Sequence, residues 1–484
     1  MFDVEKSIAE AHSKFKELAD YVLMEDQCQD AYAVERRLFH DGLKVLGCLL
    51  EAYFRQRAAA DTRKAVETDA GERLPRERVL SRRYVSVFGE LGLPRPYYHR
   101  DGLAGLLPLD EETNLPERLY SYFVQELVQR RVNRMAYDEV IAEMGQLFGL
   151  KIDKHTIERL APEIARDADA YTETAPVPVA ESEGAILAAF LDGKGVPMVK
   201  EEPAEHKIRL GPGEKHSRKK EAMVAVVHSV APHPRTVEDI LTELCEHRSP
   251  PARPRAQNKR VRVTFAGKQD AMDWVAREVA RRDPQKRKPR VCVMDGALAL
   301  WRVALLTLEG FTFVLDLFHA LEYMWEAAYV FHPVGSAEAE AFVRHRLQML
   351  LEGKVGRVIG GLRQMLTKRA DQLPKTKRKT LEKVIGYYQG HRQWMHYDQY
   401  IAAGLPIGSG AVEGACAHVV KDRMEGSGMR WKLDGADAVL KSRALDLNGQ
   451  WESFWTYHMA QEAERRFGTR SRLLDPRKRA ALPA

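Results

Sequence analysis

Cysteine is scarce in this chain of 484 residues, with five in all: Cys28, Cys48, Cys245, Cys292 and Cys416. An odd number, widely spread and mostly in apolar surroundings, argues against a disulfide framework or a thiolate zinc cluster and predicts buried free thiols. No apolar run approaches the roughly 18 to 20 residues of a membrane span, so no membrane association is expected. The first residues, MFDVEKSIAEAHSKFKEL, are charged from Asp3 onward and lack the apolar stretch of a secretory leader, which predicts a cytoplasmic protein. No tandem repeat is visible. Nor is there a large excess of one charge: 75 Lys and Arg against 69 Asp and Glu leave +6, which permits a polyanionic partner without demanding one. What remains, 45% hydrophobic and 30% charged residues, is the composition of a globular chain long enough for two to four domains.

The texture changes several times along the chain. Residues 1–72 carry helical apolar periodicity (Leu38, Leu43, Leu46, Leu50, Phe54) and read as two helices. Residues 73–118 switch to short β-type runs such as Arg83–Phe88, broken by Gly and Pro, and read as a small hairpin module. In 119–172 a stripe of Val140, Ile141, Met144, Leu147 and Phe148 stops at Gly149, and Asp153 can cap a second helix presenting Lys154, His155 and Arg159. That is a helix-turn-helix pattern, although any αα-hairpin shares it. Beyond a linker, Ala185–Leu191 reads as a strand ending at Asp192, with Val196–Lys200 returning as its hairpin partner. Further strands are expected at Ala222–Val230, Arg260–Phe265, Arg290–Met294 and Phe311–Leu315, with a helix at Ala271–Ala280. Antiparallel-type strands followed by a helix and more strands predict an α+β sheet. Residues from 318 to about 403 are helical throughout and end in the turn Gly404–Gly410, from which a helix bearing Glu413 emerges.

Asp192 and Asp295 each close an apolar run, and Glu413 opens a late helix. Singly, Asp-Gly is a common turn dipeptide and a glutamate in a first helical turn suits the helix dipole. Together, strand ends and a packed helix can gather three carboxylates, which repel one another unless cations hold them. Hard oxygen ligands favour Mg²⁺ or Mn²⁺, and two such ions serve phosphodiester chemistry. Positive charge collects at Lys215–Lys220, Arg253–Arg262, Arg281–Arg290, Lys368–Lys379 and Arg465–Arg479, five stretches that favour a polyanion.

The strings LDGKGVPM, VMDGALALW, LDLFHALEYMW and GLPIGSGAVEGACAHVVKDRMEGSGMRW resemble the DDE transposases of bacterial insertion sequences, in particular the ISKra-type group. The resemblance runs from about residue 73 onward. It implies an RNase H-like catalytic domain with a helical insertion, built from 183–330, 331–403 and 404–460 and followed by a basic tail, 461–484. It also implies that Asp192, Asp295 and Glu413 form a catalytic, metal-binding triad for two Mg²⁺ or Mn²⁺ ions. The activity implied is binding of terminal inverted repeats followed by strand cleavage and strand transfer on double-stranded DNA, by a homo-oligomer that is at least a dimer. The alternatives are a domesticated DNA-binding protein without catalysis and an RNase H-like nuclease without strand transfer. Relatives commonly carry a cysteine-bearing knuckle in the β module; Pro96–Asp110 has no cysteine here, which argues against zinc.

Around the triad, Asp316 and His319 are candidates to position phosphate or water, or else are a helix cap and a half-buried histidine. Lys154, Arg159, Lys194, Lys219, Lys220, Lys421, Arg423 and Arg430 are candidate DNA contacts, with ordinary surface cations as the alternative. Trp431 reads either as a core anchor or as a base-stacking platform.

Overall fold

The computed structural model describes residues 3–24, 30–199, 219–246, 253–426 and 428–474. Cys28, residues 215–218 of the first basic stretch, and the tail beyond residue 474 lie outside them. The chain divides into two compact units, residues 1–173 with 450–484, and residues 174–449. No helix among the described residues is long and apolar enough to cross a membrane.

The first unit opens with two helices, α1 (Val4–Leu23) and α2 (Ala31–Ala60), each started by an aspartate, Asp3 and Asp30, that accepts a backbone N–H three residues on. The strand β1 (Ala65–Glu67) follows inside the stretch that the sequence marks as helical, because helical periodicity stops at Asp61. It pairs with β2 (Arg73–Ser86), which forms a long antiparallel hairpin with β3 (Gly89–Tyr98). Phe54 of α2 closes a small core with Tyr84, Leu91, Leu93 and Leu115. After the short α3 (Pro108–Glu112) come α4 (Tyr122–Val132), α5 (Tyr137–Phe148), α6 (Lys154–Ala165) and α7 (Ala168–Thr174). Helices α4 to α6 pack together through buried Val124, Val128, Val140, Met144, Ile157 and Leu160. Gly149 ends α5 at φ +66°, a left-handed conformation that glycine adopts without strain, and Asp153 caps α6 by accepting from Thr156 N at 2.8 Å. The helix, glycine turn and capped helix expected in 119–172 are therefore present.

The second unit is built on a five-stranded mixed sheet of β4 (Ile186–Pro197), β5 (Lys219–Val230), β6 (Gln257–Thr264), β7 (Arg290–Met294) and β8 (Thr312–Leu315), in the order β6-β5-β4-β7-β8. β4, β5 and β6 are antiparallel neighbours; β7 and β8 run parallel to β4. The continuous apolar runs of β4 and β7 follow from this, since Leu187–Leu191 and Val291–Met294 are all buried at the sheet's centre. One expectation fails here. β4 does not end at Asp192 and turn back through 196–200; it continues to Pro197, and its antiparallel partner is β5, with Pro197 opposite Lys219. Gly193 and Gly195 serve close approach instead of a turn: a Cβ at Gly193 would stand 2.5 Å from Glu221 Oε1.

The helices of this unit are α8 (Val237–Cys245), α9 (Lys268–Arg282), which packs along β4 to β6, and α10 (Leu298–Thr307). A helical segment follows β8: α11 (Leu317–Phe331), α12 (Ala337–Leu351), α13 (Val355–Lys368), α14 (Lys375–His391) and α15 (Tyr397–Ala402). The chain then returns to the sheet through α16 (Gly410–Ala415), a π-helical turn over Cys416–Lys421, α17 (Asp422–Met424) and α18 (Leu433–Leu447). The last helix, α19 (Trp451–Leu474), belongs to the first unit, so the sheet-bearing unit closes at Gly449 rather than near residue 460.

Candidate active site

Sheet register assembles the acidic residues. Leu191 of β4 pairs with Met294 of β7, and Met294 pairs with Leu315 of β8. The next residue on each strand path is an aspartate: Asp192, Asp295 and Asp316 therefore stand in one row across three parallel neighbours spaced about 4.8 Å apart. Asp192 accepts the N–H of Gly193 at 2.7 Å, and Asp295 accepts that of Ala297 at 3.0 Å. Trp301, buried in α10, donates its indole N–H to the Asp295 carbonyl at 2.6 Å and so fixes the turn after β7.

Asp316 is fully buried and heavily satisfied. It caps α11 by accepting from Phe318 N and His319 N, and it meets the His319 ring at 2.5 Å. Its two oxygens also take the backbone N–H and the hydroxyl of Ser409, both at 2.9 Å. Ser409 belongs to the Gly404–Gly410 turn, which is held against the start of α11 by a bond from Leu317 N to the Ile407 carbonyl at 2.9 Å. A side chain at Gly408 would collide with the Phe318 ring at 2.6 Å, so glycine is what permits this contact. The same Ser409 hydroxyl lies 2.5 Å from Glu413 Oε1 in the first turn of α16. Three residues on, the Cys416 thiol lies 3.5 Å from Asp192 Oδ2.

Glu413 is thus tied to Asp316 through Ser409 and comes to Asp192 through Cys416. Ligand atoms of Asp316, His319 and Glu413 all lie within 4.8 Å of one another; among the described residues, Asp192, Asp295 and Glu413 do not close to that distance. Burial first, and then the charge of Asp295, raises the Asp192 carboxyl above its ordinary value, against the lowering effect of the Gly193 amide and the Cys416 thiol. His319 is raised too, but toward its charged form: its bond to Asp316 overcomes burial and, with the charges of Asp316, Asp295 and Glu322, lifts it to about 9, so it is cationic at neutral pH. Clustered carboxylates offering hard oxygen atoms, one of them resisting ionisation because of its burial and then of its neighbour's charge, fit divalent cations such as Mg²⁺ or Mn²⁺, whose charge would favour the ionised form. Ser409 and Cys416 were not legible as site residues from charge or spacing; their only signal was their place in the turn and helix that bear Glu413.

Cations gather at the same edge. Lys194 lies two residues beyond Asp192 on β4 and shares its face of the sheet. Lys219 bonds Glu425 at 2.7 Å, and this bond, helped by the charges of Lys194 and Lys421, lowers the Glu425 carboxyl. Lys220, Lys421 and Arg430 are exposed or half-exposed. Arg423 is not a surface phosphate contact: it is 2% exposed and lies over the Trp431 ring at 4.6 Å. Trp431 is itself buried, donating to the Met424 carbonyl while its backbone pairs with Pro197 and Val199, so the ring is a core anchor. Two of the basic stretches turn inward in part as well. Arg282 pairs with Glu183, Arg290 with Asp283, Arg260 with Glu278 and Arg262 with Asp270, because the helix and strands that carry them pack on the sheet. In the first unit Arg159 lies at the surface of α6, half-exposed or more, and Lys154 sits 3.2 Å from Asp138. Cys48, Cys292 and Cys416 are buried free thiols, with Cys245 half-buried.

No protein-family model matches this chain, and no curated protein matches it either.

Proposed function

We propose that the protein is a DDE-type DNA transposase whose sheet-bearing unit is an RNase H-like catalytic domain interrupted by the helical segment α11–α15. The observation that carries this reading is the row Asp192, Asp295, Asp316 at the ends of matched strand pairs, with the Glu413 helix joined to that row through Ser409 and Cys416. The strand order, three antiparallel strands with two parallel strands added beside the first, supports it.

On this reading Asp192, Asp295 and Glu413 would hold two divalent cations, which, when bound, supply activation of the attacking oxygen and charge stabilisation at the leaving oxygen. The protein's own groups do the rest. Asp316 and Ser409 fix the first turn of α16 and hence where Glu413 stands. Cys416 restrains Asp192, and the His319 cation balances part of the acidic charge. Lys194, Lys220, Lys421 and Arg430 would contact the phosphodiester backbone beside the carboxylates, and the α5–α6 pair with Lys154 and Arg159 would read the element ends. In the first step water attacks phosphorus and the P–O3′ bond breaks. The strand gains a 5′-phosphate and a free 3′-OH, O3′ taking up one proton while the other water proton leaves to solvent. In the second step that 3′-OH attacks a target phosphodiester, displacing the target's own 3′ oxygen, so phosphodiester bonds are conserved. Pairing two ends calls for at least a dimer.

The test is incubation of the protein with duplex DNA taken from the sequence flanking its own gene, joined to a supercoiled target, in Mg²⁺ or in EDTA. Metal-dependent nicking together with joined products is expected. Nicking without joining would identify a nuclease, and binding without either a non-catalytic DNA-binding protein.

A further inference from the structure

We propose that Tyr387, on the helical segment, is a substrate-positioning residue of the carboxylate site, its hydroxyl donating a hydrogen bond to a non-bridging oxygen of the phosphodiester being cut. The inference rests on the polynucleotidyl-transfer reading above. Tyr387 lies on α14, and its ring reaches across to Gly296, the residue that follows Asp295. A Cβ at Gly296 would stand 2.1 Å from Tyr387 Cε2 and 2.8 Å from the hydroxyl oxygen, so only glycine lets the phenol reach the end of β7. The approach is braced on two sides. The ring stacks on Tyr323 of α11 with centroids 3.7 Å apart and planes 12° from parallel. The His391 ring meets the Tyr387 carbonyl at 2.7 Å and the Gly296 carbonyl at 3.1 Å, pinning the helix to the turn.

For all that bracing, the Tyr387 hydroxyl is buried and has no hydrogen-bond partner among the described residues. Leaving a buried polar group unpaired forfeits the hydrogen bonds it had with water, and folded proteins seldom bear that cost without a use for it. The groups bearing on it electrostatically are Tyr323, Asp295, Asp316 and Glu322; burial, followed by these neighbours, keeps the phenol protonated. It is therefore a donor beside a row of carboxylates, fixed in place and short of an acceptor. The ligand that fits is one rich in acceptor oxygens that the carboxylates alone would repel, and a phosphodiester brought in with cations has that chemistry. The Tyr323 stack uses only the ring, and at Gly296 the nearest atom is a ring carbon that phenylalanine keeps, so the hydroxyl can be removed without disturbing either.

The experiment compares wild-type protein with Tyr387→Phe on the gene-flanking duplex. The cleavage position is mapped first, and each non-bridging oxygen there is then replaced by sulfur, a weak acceptor, with Mn²⁺ present to relieve metal contacts. Expected are unchanged DNA affinity, a nicking rate on the order of 100-fold lower in the variant, and a sulfur penalty at one diastereomer that is present in wild type and absent in Tyr387→Phe. A variant that nicks at the wild-type rate overturns the inference. So does a slow variant that keeps the wild-type sulfur penalty, since that pattern belongs to a structural role. Wild-type protein that leaves the duplex intact in both metals overturns the transposase reading itself, and this inference with it.

Discussion

The Cys416 thiol lies 3.5 Å from Asp192 Oδ2, joining the helix that carries Glu413 to the central strand of the sheet. Burial, and then the Asp192 charge, push the thiol well above its ordinary range, so native Cys416 is expected to resist alkylation at neutral pH. Asp192→Asn removes the second of those effects. Peptide-resolved iodoacetamide labelling should show Cys416 reacting faster in that variant, with Cys292, whose thiol is raised by burial alone, unchanged.

Ser409 is expected to be a stability residue as much as a site residue. Its hydroxyl serves Asp316 and Glu413 with a single proton, and Asp316 is fully buried. Ser409→Ala leaves a buried carboxylate short of a donor and should cost about 1 to 3 kcal/mol. Denaturant unfolding followed by exchange protection of α11 and α16 amides checks this, and Ser409→Thr should recover most of the loss.

In the first unit, Asp167 accepts from His458 at 2.7 Å and from Arg465 at 2.7 and 2.6 Å, joining the α6–α7 junction to α19. Burial works to raise its carboxyl, but these partners prevail and hold it at about 2. A depressed carboxyl stabilises the fold at pH values above its unfolded value near 4, and the contribution disappears as pH falls from about 4 through about 2. It amounts to roughly 2.5 kcal/mol at neutral pH. Exchange protection of α19 should drop across that window in wild type and show no such step in Asp167→Asn.

The order of elements was legible from the sequence because periodicity is a local signal. Continuous apolar runs marked β4, β7 and β8, and Gly149 with Asp153 marked the α5–α6 turn. Apart from β1, where helical periodicity already stops at Asp61, the failures are tertiary. Asp192-Gly193 has turn chemistry, yet it lies mid-strand because β5 supplies a long partner on one side and needs the glycines for clearance. Arg423 has the look of a surface cation, and Trp431 covers it. Cations at 260, 262, 282 and 290 resemble a polyanion-binding stretch until the packing of β6 and α9 supplies their acidic partners. Asp192, Asp295 and Glu413 could be named from position, but the link through Ser409 and Cys416 depends on a turn and a helix meeting a distant sheet.

DNA binding should follow the same division between outward and inward cations. If about six phosphates are neutralised, the log–log slope of affinity against salt should be near −5. Lys154→Ala with Arg159→Ala should reduce discrimination between element ends and random DNA. Arg282→Ala, which breaks a buried pair, should lower stability and leave the slope unchanged. Titrations at several salt concentrations separate the three effects, and discrimination that survives the double substitution would place end reading elsewhere than in α6.

If the carboxylates serve metal-dependent strand chemistry, Asp192→Asn should abolish it. The substitution keeps the shape of the side chain beside Gly193 and Cys416 and removes the charge the cations need. Nicking of labelled gene-flanking DNA in Mg²⁺ is measured beside a gel shift on the same duplex. Loss of nicking and joining together, with binding equal to or tighter than wild type because a negative charge has left a surface that receives phosphates, is the expected result. Normal nicking by the variant, with wild-type protein active in parallel, would show that Asp192 holds no catalytic cation.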